Sequence, residues 1–154
     1  MIKITFVCHG NICRSPMAEY IFKNLLKQKN LSEKFEVTSF ATSNEAIGED
    51  IYTLAQNQLA LHSIPFQSHK ATRINTAAYK ANDYVVCMEE YNVINLKRFL
   101  FLKNSDKISL LLDYTDNPRD LSDPWYTQDF ETAYEDIEVG CKAFLSYIIN
   151  KYNL

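Results

Sequence analysis

The stretch Ile2–Glu19, IKITFVCHGNICRSPMAE, decides how this chain is read. Its first six residues, Ile2–Val7, form a β-branched and aromatic run that ends at a Gly-containing segment, the pattern of a strand buried on both faces. A helix follows: Ser15 is a good N-cap, Pro16 fits the first helical position, and Ala18, Ile21, Phe22, Leu25 and Leu26 recur at helical spacing. A loop that leaves a strand and opens a helix lies at the carboxyl edge of an α/β sheet, where such proteins bind ligands.

Further along, strand-like and helix-like segments alternate. FEVTSF reads as a second strand, and Ile51, Leu54, Ala55 and Leu59 suggest a helix from Glu49 to about His62. DYVVCM gives a third strand, EEYNVINLKRFL a helix and KISLLL a fourth strand. The polar loop DYTDNPRDLSDPWY then leads to a last helix with the stripe Phe130, Tyr134, Ile137, Cys141, Phe144, Leu145 and Ile148. The expectation is one α/β domain over residues 1–154, an open four-stranded parallel sheet with helices on both faces. A chain of 154 residues, 47% hydrophobic, is long enough to bury a sizeable core.

Sixteen basic residues against nineteen acidic ones leave a net charge of -3, so no overall positive field draws in nucleic acid or an anionic membrane. Any anion site must be local. The start, IKITFVCHG, turns polar too soon for a secretory leader, and no apolar run is long enough to span a bilayer, which points to the cytoplasm. Four cysteines, Cys8, Cys13, Cys87 and Cys141, are too few for a disulfide scaffold of this length, so at least one is expected to do chemistry. His9, His62 and His69 show no metal-ligand spacing, and neither a metal nor an organic cofactor is expected.

The loop itself has the makings of an anion cradle. Its N–H groups would point outward with a helix dipole behind them. Gly10 can take a conformation closed to side chains, and Asn11 is among the few other residues that tolerate positive φ. Arg14 would close the cradle with a planar fork of donors matched to phosphate oxygens. Cys8, at its base among N–H dipoles, would serve as a thiolate nucleophile aimed at a bound tetrahedral anion. A nucleotide-binding loop needs Gly-Lys followed by Ser or Thr, a step this chain lacks.

CHGNICRSP followed by MAE resembles the signature of the low-molecular-weight protein tyrosine phosphatases, Cys-x-Gly-Asn-x-Cys-Arg-Ser-Pro. DYVVCMEEYNV is similar to the third strand and following helix of that family, SHKATRI to its histidine-bearing segment, and SDPWYTQDFETAY to its acid loop and last helix. The resemblance implies hydrolysis of phosphotyrosine through a phosphocysteine on Cys8. The phosphate would be held by Arg14 and the loop residues His9, Gly10, Asn11, Ile12, Cys13 and Ser15. It implies Asp123 as general acid and then base, with Asp120 as runner-up, although an Asp before Pro is also a common helix cap or turn residue. Asn11 and His69 would support the loop, His69 orienting Asn11, and Ser15 would donate to the thiolate. Cys13 would form a protective disulfide with Cys8, or else be an inert apolar residue. Cys87 and Cys141 read as core.

Pocket walls follow from the same resemblance. Ile12 stands where a phosphoarginine-cleaving relative has threonine, and this points to phosphotyrosine proteins as substrates, with phosphate or similar oxyanions also bound. Trp125 and Tyr126 would flank the phenyl ring, unless Trp125 anchors its loop in the core. His9 stands where an aliphatic residue or Thr is more usual. Ser39–Thr42, SFAT, puts Phe40 and Ala41 where small, flexible residues are expected, and Glu45 replaces an aromatic wall. A carboxylate at that rim would favour basic flanking residues or weaken acidic peptides. The expected state is a monomer. Two other readings stay open. Arsenate reductase shares the fold but needs a cysteine pair near the third strand; a phosphotyrosine-binding module without turnover usually lacks the nucleophile or the acid.

Overall fold

Side chains of β1 (Ile2–Cys8) alternate between two cores, which places this strand inside the sheet rather than at its edge. The computed structural model describes residues 1–154. Four strands lie in the order β2-β1-β3-β4, with β2 at Phe35–Ala41, β3 at Tyr84–Cys87 and β4 at Ile108–Leu110. Every pairing is parallel, and the register sets Cys8 beside Ala41 and Val7 beside Cys87. The expected four-stranded parallel sheet is therefore present.

Ile4, Phe6 and Cys8 face the larger core, formed with α1 (Arg14–Gln28), α2 (Thr53–Leu61) and the long last helix. Phe6 is fully buried and meets Phe22 and Phe144 edge-on, with ring centroids 5.6 and 6.3 Å away. Burial of one such ring contributes roughly 2–3 kcal/mol. Val7 faces the other side, with Val85 and Cys87, against Tyr79 of α3 (Thr76–Ala81) and Val93 and Leu96 of α4 (Glu90–Phe99). Helices thus cover both faces. A one-turn helix α5 (Pro124–Thr127) precedes α6 (Phe130–Tyr152), whose stripe from Phe130 to Ile148 is buried as the periodicity predicts. No helix is long and apolar enough to cross a membrane.

Several boundaries differ from expectation. The first helix begins at Arg14, with Cys13 rather than Ser15 at the N-cap position, so Ser15 and Pro16 lie inside its first turn. Neither is out of place there, because the first N–H groups of a helix have no intrahelical partner and Pro lacks only a group that would be idle. Freed from capping, the Ser15 hydroxyl turns to Asn11 and Cys8. Residues 49–52 are a loop ahead of α2, and the last part of KISLLL leaves the sheet as a 3-10 turn, Leu111–Tyr114. α3 and α5 are additions the periodicity does not reveal.

Candidate active site

Loop geometry is set from outside. The carbonyls of Cys8, His9 and Ile12 accept hydrogen bonds from the backbone N–H groups of Thr42, Ser43 and Tyr52 at 3.0, 3.1 and 2.8 Å. His69 Nε2 donates to the Asn11 carbonyl at 2.7 Å, and Met17 N–H to that of Cys13 at 3.1 Å. In a trans peptide the C=O of one residue and the N–H of the next point opposite ways. Each outward tie therefore aims the following N–H inward, those of His9, Gly10, Ile12, Cys13 and Arg14. The Asn11 N–H donates to Cys8 Sγ at 3.3 Å.

Asn11 carries the positive φ of this turn, +60°. Gly10 does not, which corrects the expectation that its freedom is needed for the bend: the left-handed step falls one residue later. A Cβ on Gly10 would meet Ile12 and Ala46 only at ordinary contact distances, 3.7 and 3.9 Å. The Asn11 side chain is saturated. Its Nδ2 donates to Ser15 Oγ (2.8 Å) and Ser39 Oγ (3.0 Å), while Oδ1 accepts from Thr72 N–H at 3.2 Å. Ser39 in turn donates to the buried Glu19 carboxylate at 2.6 Å, and Lys23 neutralises Glu19 from the surface side. His69 grips the Asn11 main chain and not its side chain, so Ser39 and Thr72 orient the amide that the family resemblance gave to the histidine.

Cys8 Sγ lies 3.0 Å from Ser15 Oγ, close enough for the hydroxyl to donate to a thiolate. Across the cradle, Arg14 has a side chain only 2% exposed. Its Nη1 donates to the Leu121 carbonyl (2.7 Å), and its Nη2 donates to Glu89 Oε1 (3.0 Å) and Asp123 Oδ2 (3.2 Å). Burial alone would lower the guanidinium pKa, but the negative charges of Cys8, Asp123 and Glu89 outweigh it and raise it, so Arg14 stays cationic. Of its five donors, Nε–H and one Nη1–H remain for a ligand. Asp123 takes the helix-cap role open to an Asp before Pro, and its second oxygen is turned to the cavity floor. Its Oδ1 caps α5 by accepting from Trp125 N–H at 3.0 Å, and Oδ2 reaches Arg14. Asp120 accepts from Glu90 N–H at 2.9 Å, at the start of α4.

These groups enclose a cavity of about 240 Å³. Cys8, His9, Gly10, Ile12, Cys13 and Arg14 form its floor, Asp123, Trp125 and Tyr126 one wall, and Glu45, Ala46 and Glu49 the other. Asn11, Ser15 and His69 stand behind the loop, outside the cavity. Trp125 is half-exposed with its ring edge-on to Tyr52 at 5.0 Å, so it is both anchored and available as a wall; Tyr126 is exposed. Phe40 and Ala41 do not line the cavity. Phe40 packs at the edge of the smaller core, and buried Ala41 bonds through its backbone to Thr72 and Ile74. Glu45 is not a free rim charge: it lies 2.8 Å from His9 Nε2. Burial, and then the negative charges of Cys8 and Asp123, raise the Cys13 thiol to about 12 against a smaller opposing pull from Arg14. Cys87 and Cys141 are fully buried core residues whose thiols burial also raises.

Sequence reading missed Glu89, Ser39, Thr72 and Tyr52. Each acts through one hydrogen bond from a distant element, and only Glu89 carried a local sign, an acidic residue opening the helix after β3.

Comparison with known proteins places this geometry. The family model for low molecular weight phosphotyrosine protein phosphatase matches residues 3–153. The low molecular weight protein-tyrosine-phosphatase YfkJ of Bacillus subtilis is 35% identical over 150 residues, 96% of each chain, and its crystal structure superposes with a TM-score of 0.94 over 100% of this chain and 98% of that one. The human low molecular weight phosphotyrosine protein phosphatase is 39% identical over 147 residues, 92% of each chain. A Drosophila arginine phosphatase, 29% identical, superposes with a TM-score of 0.86 over 96% of this chain and 98% of its own. The match along nearly its whole length, and identities of 35% and 39% over it, mean that the chain belongs to the low molecular weight phosphotyrosine protein phosphatase family.

Proposed function

We propose that this phosphatase hydrolyses phosphotyrosine in proteins, and small aryl phosphates, through a phosphocysteine intermediate. The observation that carries the reading is the convergence of Cys8, Arg14 and Asp123 on one cavity floored by inward N–H groups. The phosphate would sit on those N–H groups with the remaining Arg14 donors on its oxygens, stabilising charge where it spreads in the transition state. Cys8 Sγ attacks phosphorus, the P–O bond to the phenol breaks, and protonated Asp123 gives its proton to the leaving oxygen. Water then attacks the phosphocysteine, the ionised Asp123 takes its proton, and the S–P bond breaks to release phosphate and the Cys8 thiolate.

Ile12 on the floor with Trp125 and Tyr126 on the wall supports an aryl group over a phosphoarginine side chain. Cys87, the cysteine of the third strand, has no cysteine partner there, which speaks against arsenate reductase. Cys13 would protect the nucleophile: a peroxide oxidises Cys8 to a sulfenic acid, and Cys13 sulfur displaces hydroxide to close a disulfide that thiols reopen. That chemistry suits a reducing compartment, the cytoplasm.

The test is steady-state hydrolysis of an aryl phosphate and a phosphotyrosine peptide in EDTA, for wild type, Cys8→Ser and Asp123→Ala. Activity should survive the chelator, vanish in Cys8→Ser and fall about 10²- to 10³-fold in Asp123→Ala. A wild type that binds phosphotyrosine without turning it over would instead be a binding module.

A further inference from the structure

Beside the catalytic cavity, on the far side of His9, lies an open cleft of about 350 Å³. Its basic residues are Arg73 and Arg98, and no Asp or Glu lines it. Arg73 is set in place: its Nε donates to the Thr42 carbonyl at 2.9 Å, its guanidinium lies over the Phe99 ring at 3.5 Å, and its backbone bridges to Ala41. Its Nη groups make no hydrogen bond within the chain. Arg98, on the last turn of α4, is exposed and pairs with no carboxylate.

The wall carries a second and independent sign of a ligand. Thr42 is 4% exposed, lines the cleft, and its Oγ1 has no hydrogen-bond partner. His9 Nδ1, on the same wall, is also buried and unpartnered. An idle hydroxyl and two guanidiniums together suit an oxyanion.

We infer that the cleft bounded by His9, Thr42, Arg73 and Arg98 is a second subsite that takes an acidic side chain of the substrate polypeptide, close in sequence to the phosphotyrosine. This rests on the phosphotyrosine-protein reading above. An extended peptide rises about 3.3 Å per residue, so a cleft that shares His9 with the catalytic cavity is reached by a neighbour within about three positions. Glu45, paired with His9, and Glu49 line the catalytic cavity itself. Carboxylates line the cavity and guanidiniums the cleft beside it, so an acidic residue is welcome at the position that reaches Arg73 and Arg98 and not along the cavity rim.

The experiment uses phosphotyrosine peptides on a neutral background with a single glutamate moved through the three positions on either side. For each, kcat/KM is divided by that of the glutamate-free peptide, for wild type and for Arg98→Glu, and the same peptides are titrated calorimetrically into Cys8→Ser. Glutamate on one side should raise the wild-type ratio by about fivefold, with the gain shrinking at high salt. In Arg98→Glu the same position should fall below one, and lysine there should take over the preference. A ratio near one at every position in wild type, or a preference that Arg98→Glu leaves intact, overturns the subsite. If no peptide is hydrolysed, the catalytic reading fails, and the calorimetric ratio decides the subsite alone: tighter binding of one glutamate peptide sustains it, equal or absent binding overturns it.

Discussion

The guanidinium of Arg14 bonds the carboxylate of Asp123 at 3.2 Å through the same nitrogen that Glu89 holds at 3.0 Å. One cation is thus shared between the residue proposed as acid and a residue outside the cavity lining. Glu89 fixes the guanidinium whichever partner Asp123 takes during the reaction. Glu89→Ala should lower kcat/KM for an aryl phosphate about tenfold and cost about 2 kcal/mol of stability, because a buried cation loses a charged partner. Glu89→Gln should recover much of the stability and less of the activity. Steady-state kinetics and urea unfolding on both variants check this.

Asn11 combines a positive φ with a side chain whose hydrogen bonds reach three other residues. Glycine keeps the backbone option and removes the amide; alanine removes both. Asn11→Gly should destabilise the fold by about 2 kcal/mol, and Asn11→Ala by about 1 kcal/mol more. Both should lose affinity for inorganic phosphate, read as a weaker competitive inhibition constant. Equal stability of the two variants would mean that the turn conformation carries no cost for alanine.

The four thiols should differ sharply in reactivity. Burial and neighbouring negative charge raise Cys13 to about 12, and burial raises Cys87 and Cys141 as well. A raised thiol stays protonated below its pKa, so these three should resist alkylation through pH 9, with Cys13 reacting only as pH approaches about 12. Native protein at pH 8 should take up one equivalent of iodoacetamide, at Cys8, and Cys8→Ser none; peptide mass mapping reads both. Labelling of Cys13 at pH 8 would contradict the environment described here.

Gly140 tests packing far from the cavity. Replacing a mid-helix glycine by alanine usually stabilises a helix by about 1 kcal/mol. In α6, however, a Cβ at this position would lie 2.6 Å from Leu111 Cγ, and Leu111 is fully buried. Overpacking should win, and Gly140→Ala should be destabilised by about 1–2 kcal/mol in thermal or urea unfolding, with activity retained below the transition.

The strand and helix alternation was legible because each long element carries its own period, as Ile4–Phe6–Cys8 and the Phe130–Ile148 stripe illustrate. Short elements were not: the six residues of α3 and the four of α5 are too few to display a helical period, although Asn75 and Asp123 cap them. The Ser15 N-cap failed for a different reason, since a hydroxyl that fits a cap also fits a thiolate and an amide, and nearby Asn11 and Cys8 claimed it. Cys8 and Arg14 stood out by type and spacing in one loop, whereas Asp123 was singled out only through the family resemblance, because an Asp before Pro reads equally well as a cap. The supports of the loop could not be picked out, because Ser39 and Glu89 reach Asn11 and Arg14 across separations of 28 and 75 residues, and only the folded sheet edge brings them together.

The loop carbonyls of Cys8, His9 and Ile12 are tied down by the backbone N–H groups of Thr42, Ser43 and Tyr52. A peptide N–H is supplied by every residue except proline, so these ties place little demand on side chains, and only Ser43 adds its hydroxyl to one of them, at 2.9 Å from the His9 carbonyl. The shape of the loop is thereby uncoupled from the chemistry displayed around it. Mutation can redraw the rim, as at Glu45, without reshaping the loop beneath. Such a design lets one reaction be retargeted over evolutionary time at little structural risk.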